Sequence, residues 1–330
     1  MMTSPSEAPV LAVDIGGTKI LSALFSAEGE MLSREVRPTL TEEGVASTIA
    51  RLVSAIEDAL TQHGLSASGV GAICIACAGG VDAGRGVVVT PSPNMPGWTD
   101  IPLRDILGER FGVNVFVVND ASAAALGEHT YGAGRGADDM VLFTVGTGIG
   151  GGIIIDGELY LGARGGAGEF GHMTVAADGP ACPCGNTGCL EMLASGRAVE
   201  RDAIDRLLNG EKSLLREICQ EIDNVTAEQV GEAARRGDPL ALEVINQTAY
   251  YLGVGMINAV NIFNPKILVI GGGMAELGEL LIDPGRRLVA ERAFSISSRS
   301  VRIVAAQLGN EAGVYGAAAY ARRQSSRRSS

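Results

Sequence analysis

The sequence predicts an α/β protein of two related domains, and three observations carry that expectation. Its 330 residues exceed what one ordinary core accommodates. Short apolar runs of strand length interleave with helical stretches through the first 120 residues. One layout also occurs twice, at 11–25 and at 140–157: an apolar strand, a Gly/Thr turn, an apolar strand.

Taken in order, Leu11 to Ile15 reads as a buried strand, broken by Gly16-Gly17-Thr18-Lys19 and resumed from Ile20 to Phe25. Residues 44–62 put Val45, Ile49, Leu52, Val53, Ile56 and Leu60 on one helical face. Gly71 to Ala78 is a strand ending at Gly79-Gly80; Val113 to Val118 is another, after which Asn119-Asp120 opens a helix to His129. The second copy follows: strand Met140 to Val145, turn Gly146 to Gly152, strand Ile153 to Gly157. Helices dominate from Ser195 to about Asn264, and Ile267 to Ile270 is a short strand ending in Gly271-Gly272-Gly273. A final amphipathic helix starts after Gly309. The expected division is a small N-terminal domain over 1–119, with the helix at about 310–330 packing back on it, and a larger domain over 120–309.

Composition limits the function. With 46% hydrophobic residues the chain can bury a large core. A net charge of −12 disfavours a nucleic-acid surface, which needs a basic patch. It leaves nucleotides open, because a few backbone amides and one Mg²⁺ offset a triphosphate locally. The opening residues hold no basic segment followed by an apolar run, so no signal peptide is expected. No uninterrupted apolar stretch is long enough to span a membrane. The six cysteines do not form a secreted disulfide framework, which makes cytoplasm the default. The basic end, Arg322-Arg323-Gln-Ser-Ser-Arg327-Arg328, reads as a solvated, frayed tail without function.

Cys182-Pro-Cys184-Gly-Asn-Thr-Gly-Cys189-Leu-Glu191 places three thiols within eight positions, with His172 ten residues before Cys182. That set suits one tetrahedral Zn²⁺. The alternative, three buried free thiols, leaves the glycine-filled spacing unexplained. Glu169 and Glu191 flank the cluster, so a metal that pins the loop also fixes two carboxylates. Four protein ligands leave no open position, which makes the metal structural rather than catalytic. Cys184→Ala is then expected to disorder the loop and weaken affinity for the ligand of those carboxylates. Cys74 and Cys77, three apart in a strand, point to opposite faces and read as small hydrophobes, and Cys219 as inert without a nearby partner.

Two nucleotide motifs are excluded. Gly146-x-Gly148-x-x-Gly151 matches the dinucleotide fingerprint literally, but a β-branched strand follows where that motif needs a helix. No phosphate loop of the G-x-x-x-x-G-K-[ST] type occurs. What remains is a pair of glycine turns whose successive N–H groups can form anion nests, with Thr18 and Thr147 as hydroxyl donors. Lys19 either adds charge or points into solvent, and Asp14 can orient Mg²⁺ or its water. Either turn alone reads first as an ordinary tight hairpin; the pair, with Gly271-Gly272-Gly273 beyond a third strand, points to one nucleotide held between two lobes. Asp120 is open to two readings, helix N-cap or catalytic base for phosphoryl transfer.

These residues carry a family resemblance. Asp14-Ile-Gly-Gly-Thr-Lys19, Asn119-Asp120, Gly146-Thr-Gly-Ile-Gly-Gly151, Glu169-Phe-Gly-His172 and the Cys182 to Glu191 segment occur in the order found in the ROK family of sugar kinases, and the chain is most similar to its glucokinases. The resemblance implies a two-lobed actin/hexokinase-like (ribonuclease H-like) α/β fold with a cleft between the lobes. It implies ATP with Mg²⁺ clamped at Asp14, Gly16, Gly17, Thr18, Lys19, Thr147, Gly148 and Gly272. It further implies Asp120 as base, sugar contacts from Asn94, Asn119, Asp120, Glu169, His172 and Glu191, and Zn²⁺ on His172, Cys182, Cys184 and Cys189. Glucose is the expected substrate, with N-acetylmannosamine, N-acetylglucosamine or fructose as alternatives; polyphosphate as donor suits the acidic surface less well. A homodimer or homotetramer is expected.

Two non-enzymatic readings compete. The ROK family includes sugar-sensing repressors, but only about ten residues precede the first strand, too few for the DNA-binding helix-turn-helix those carry. A zinc-ribbon nucleic-acid binder needs basic residues near the cysteines, and Ala176 to Glu191 contains no Lys or Arg. Trp98, the only tryptophan, reads as packing, with a place at the cleft rim as the alternative.

Overall fold

The computed structural model describes residues 8–90 and 92–329. The expectation about a leader peptide concerns residues 1–7 and lies outside them. Twelve strands and eleven α-helices are present among the described residues. The strands are β1 (Val10–Ile15), β2 (Lys19–Phe25), β3 (Met31–Pro38), β4 (Ala72–Cys77), β5 (Gly80–Asp82), β6 (Val87–Thr90), β7 (Val115–Asn119), β8 (Met140–Val145), β9 (Ile149–Ile155), β10 (Glu158–Leu159), β11 (Ile267–Gly271) and β12 (Arg302–Ala305). The helices are α1 (Val45–Gln62), α2 (Leu103–Phe111), α3 (Asp120–Tyr131), α4 (Glu191–Ala194), α5 (Gly196–Leu208), α6 (Leu215–Ile218), α7 (Ala227–Arg235), α8 (Pro239–Phe263), α9 (Glu279–Arg292), α10 (Ser295–Ser300) and α11 (Ala312–Ser329).

The hairpin seen twice in the sequence seeds two sheets of one design. The first runs β3-β2-β1-β4-β7 and the second β10-β9-β8-β11-β12. In each, the first three strands pair antiparallel and the last two join in parallel. The tight Gly turns make the antiparallel pairs, whereas the parallel partners arrive by crossovers. Residues of β4 alternate between faces: Ala72, Cys74 and Ala76 join one buried cluster, and Ile73, Ile75 and Cys77 the other. The two cysteines therefore occupy opposite faces, as their spacing predicts, and burial pushes both thiols up, away from reactivity.

The face bearing Cys74 meets α3 and α11 in a cluster that also takes Met140, Leu142, Ile267 and Val269 from the second sheet. Helix α11 lies on β1 and β4, helix α3 lies on β8 and β9, and the two helices pack on each other. Their contact is a Gly/Ala seam: a Cβ on Gly127 would lie 2.3 Å from the Ala312 carbonyl oxygen, and one on Gly316 only 1.6 Å from that of Ala123. The layer order is thus first sheet, α11, α3, second sheet. Among the described residues, no helix is long and apolar enough to cross a membrane.

Fully buried Glu128, on α3, holds this arrangement together. Its Oε1 accepts from the Gln307 and Leu308 amides at 2.9 and 2.7 Å, and its Oε2 from Ala133 at 2.8 Å. Glu128→Ala removes the acceptor of three part-buried N–H groups, so urea unfolding is expected to show a loss of about 2–4 kcal/mol.

Two expectations need correction. The basic tail is not frayed: α11 continues to Ser329, Arg322 donates to the Ser26 carbonyl, Arg323 to that of Gly157 at 2.7 Å, and Arg327 to Glu158 at 2.8 Å. Acceptors in the turns after β2 and β9 and on β10 hold the arginines, and no local pattern reveals them; Ser330 lies outside the described residues. Cys219 is not without a partner, since its thiol donates to Gln229 Oε1 at 3.2 Å. Gln229 is itself held in the capping box that starts α7.

Candidate active site

In sheets of this kind ligands collect beyond the carboxyl ends of the strands. Those ends here are Gly16 after β1, Ala78 to Gly80 after β4, Asn119 to Ala121 after β7, Gly146 to Gly148 after β8 and Gly272 after β11, and all line one cleft of about 390 Å³. It also takes in Gly17, Asn94, Glu169, His172 and Glu191. Asp14 and Lys19 line an adjoining cavity of about 180 Å³, which shares Asp120, Ala121, Thr144 and Gly272 with the first. Thr18 is exposed and lines neither cavity.

The first glycine turn is held from behind. Buried Thr39 donates its hydroxyl to the Gly16 carbonyl at 2.7 Å and its amide to the Thr18 carbonyl at 3.1 Å. Gly17 must be glycine, because a Cβ there would fall 2.4 Å from the Asn94 carbonyl oxygen. The second turn meets a side chain rather than backbone: a Cβ on Gly148 would lie 2.4 Å from Glu191 Oε2, which accepts from the Ile149 amide at 2.8 Å. A strand follows this turn, which excludes the dinucleotide arrangement structurally as well.

The N-cap of α3 is Asn119, not Asp120. Asn119 Oδ1 accepts from the Ser122 amide at 3.0 Å, leaving Asp120 as the first helical residue. Asn119 Nδ2 donates to the Gly79 carbonyl at 3.1 Å and to Asp120 Oδ1 at 2.9 Å. The same Oδ1 accepts from the Ala121 amide at 2.8 Å, so these donors grip one oxygen of Asp120 and leave Oδ2 out of their bonds. Burial pushes the Asp120 carboxyl up to about 6, opposed by the Ala121 and Asn119 hydrogen bonds and reinforced by the charge of Glu169. Burial and the neighbouring Asp120 raise Asp14 to about 7 against the pull of Lys19. Glu169 is also raised, by burial first, with His172 lowering it and Glu191 adding to the rise. This concentration of acids would be relieved by a cation or by proton transfer to one of them.

Beside these acids sit His172, Cys182, Cys184 and Cys189, with all four ligand atoms within 4.8 Å of one another. Cys182 Sγ is 3.8 Å from His172 Nδ1, and Cys184 Sγ is 3.7 Å from Cys189 Sγ. Tetrahedral Zn²⁺ with Zn–S near 2.3 Å spaces its thiolates by about 3.8 Å, so the donor set fits that ion. The thiols are not simply core, since Cys184 is exposed. His172 Nδ1 faces the sulfurs while Nε2 stands 4.0 Å from Glu169 Oε2, so the ring joins the cluster to the cleft.

Trp98 packs rather than rims the cleft: it is 1% exposed, and its Nε1 donates to Cys77 Sγ at 3.0 Å. Sequence reading missed two residues of the site, Thr39 behind the first turn and Arg197, whose guanidinium lines the cleft and reaches Asn94. Neither lies in a recognisable spacing with its partner.

Two matching sheets with glycine turns from both facing one cleft define the class: the two-lobed fold of sugar kinases. The chain belongs to the ROK family, whose pattern matches residues 10–324. It is 38% identical over 309 residues to a glucokinase of Thermotoga maritima, covering 94% of this chain and 96% of that one. A solved ROK family glucokinase from Streptomyces griseus, in complex with glucose and AMPPNP, superposes with a TM-score of 0.82 at 38% identity, covering 96% of this chain and 99% of the other. A ROK family transcriptional regulator, a homologue of the E. coli MLC protein, gives a TM-score of 0.84 at 28% identity, and the match covers 96% of this chain and 78% of the regulator.

Proposed function

We propose that this chain transfers the γ-phosphoryl group of ATP to the 6-hydroxyl of glucose, with Asp120 as the base. One observation carries the reading: Asp120 lines both cavities at their junction. On one side lie Asn94, Glu169, His172 and Glu191, a set of amide, imidazole and carboxyl groups suited to sugar hydroxyls. On the other lie Asp14 and Lys19. An acceptor hydroxyl between them meets a carboxylate and a phosphoryl group in line.

Asp120 Oδ1 is fixed by its donors, which orients Oδ2 to take the hydroxyl proton. Asn119 spends both amide hydrogens on Gly79 and Asp120, so its part is chiefly to hold the base, with one acceptor site left for sugar. The amides of Gly17, Thr18 and 147–148 are the phosphate donors in this reading. Mg²⁺ bound with the nucleotide would neutralise phosphate charge, and Asp14 is the carboxyl to hold it or its water. The raised state of Asp14, due to burial first and the Asp120 charge second, fits that role, because a bound cation would offset both. Zn²⁺ on His172, Cys182, Cys184 and Cys189 would be structural, keeping Glu169 and Glu191 in place. A second, sugar-sensing reading is supported less well, because the regulator relative is 28% identical where the glucokinases reach 38%.

The reading includes a cytoplasmic protein assembled from two or four chains. Ile262, Phe294 and Ile296 are 72%, 69% and 69% exposed, apolar surface that assembly would cover. Light scattering tests the assembly. ADP release over a panel of hexoses and amino sugars tests the activity. Glucose far ahead is the expected result, N-acetylmannosamine ahead reassigns the substrate, and no turnover with any sugar removes the enzyme. A gel-shift assay is expected to show no DNA binding.

A further inference from the structure

Arg197 has no part in the chemistry above, yet among the described residues it is the sole Arg or Lys side chain lining the larger cleft. It stands in the first turn of α5, whose cap Ser195 accepts from the Ala198 amide at 3.3 Å. The main chain here is clipped to the second glycine turn: Gly196 N donates to Gly146 O at 2.7 Å, and Arg197 N to Thr147 O at 3.4 Å. The side chain crosses the cleft, and Nη2 donates to Asn94 Oδ1 at 2.5 Å. Asn94 in turn rests against Gly17 of the first glycine turn. A continuous path therefore runs from one phosphate turn, through Asn94 and Arg197, to the other.

Chemistry gives this contact a direction. A guanidinium has five donors and no acceptor. Asn94 must therefore present its oxygen to Arg197, which leaves its NH₂ group as the end that can meet a ligand. Without the arginine the amide can turn over, and either end can face a hydroxyl. We propose that Arg197 is a positioning residue that fixes the Asn94 amide as a hydrogen-bond donor to the sugar and tethers its loop to the second glycine turn. The inference rests on the reading of Asn94 as a sugar contact. Arg197 touches no reacting atom, so its loss weakens sugar binding in ground and transition states alike and leaves the chemical step alone.

The test is a double-mutant cycle of Arg197→Met with Asn94→Ala, plus Arg197→Lys, on the full-length chain. Steady-state kinetics use the best hexose of the panel, with calorimetry of the same sugar. Arg197→Met is expected to raise sugar KM about tenfold while kcat and ATP KM stay within about threefold. Arg197→Lys, which also only donates, recovers most of the loss. On the Asn94→Ala background, Arg197→Met adds less than about twofold, because the partner it acts through is gone. Arg197 is exposed, and a thermal melt confirms that each variant folds. An unchanged sugar KM in Arg197→Met, or effects that multiply fully in the double variant, overturns the inference while wild-type turnover keeps the activity standing. Wild-type turnover with another hexose but not glucose tells against the substrate assignment alone. A wild-type chain that binds no sugar overturns both.

Discussion

Asp120→Asn is expected to lower kcat by about 10²–10⁴-fold with little change in sugar KM. The amide oxygen of Asn can still accept from Ala121 and Asn119, so the start of α3 survives and only the proton acceptor is lost. The wild-type pH profile gives an independent check. The active form is the carboxylate, and burial has raised its pKa to about 6. The sign follows: kcat/KM rises with pH through about 6 and is lost below it, as Asp120 takes up a proton before any substrate arrives. Asp14 and Glu169, both raised by burial first, lie close to this group, so the limb belongs to the cluster rather than to Asp120 alone. The residual rate of Asp120→Asn is expected to lose the Asp120 contribution to that limb, leaving a shallower profile. Full turnover in the variant would refute the assignment of the base.

The second large effect concerns the metal. Metal analysis of the purified chain is expected to find one zinc per chain, and Cys184→Ala to lose most of it. Structural zinc binding releases about 10–16 kcal/mol in zinc-finger peptides, so loss of one thiolate is expected to loosen the segment it would tie together. The loop around the cluster is held mostly by bonds among its own residues, such as Cys182 N to Asn186 O at 2.8 Å, Gly188 N to Pro180 O at 2.8 Å and Val175 N to Gly188 O at 2.9 Å, with isolated bridges at Thr174–Cys189 and Ala181–Thr187. The damage travels along short covalent routes. Cys189 is two residues from Glu191, whose carboxylate holds the second glycine turn at Ile149, and His172 is three from Glu169. Sugar KM is therefore expected to rise at least about tenfold, with kcat falling as the second turn loosens. A variant with unchanged zinc content and unchanged sugar KM would contradict this.

The legible parts of this protein are those written in local chemistry. The paired hairpins were readable because a Gly/Thr turn between apolar strands is a short-range signal. The Cys/His cluster was readable because three of its members fall in one loop. Strand order was not, since β4, β7, β11 and β12 reach their sheets by crossovers whose destinations no local pattern records. Asn119 and Asp120 are both good capping residues, and only the observed bond to Ser122 separates their roles. Thr39 and Arg197 escaped notice for one reason: their partners, Gly16 and Asn94, lie 23 and 103 positions away. The Arg/Ser tail misled because its composition resembles a disordered end, while its acceptors at Ser26, Gly157 and Glu158 are supplied by remote strands and turns.

Helices usually pack at about 8–10 Å, a spacing set by the side chains between them. Where α3 crosses α11 that padding is missing, for Gly316 touches the Ala123 backbone directly. Each helix backs one of the two sheets, so this bare crossing gauges how far apart the strand ends stand. A methyl group added at residue 316 would act as a shim remote in sequence from every glycine turn of the cleft, widening the gap between the two sets of strand ends.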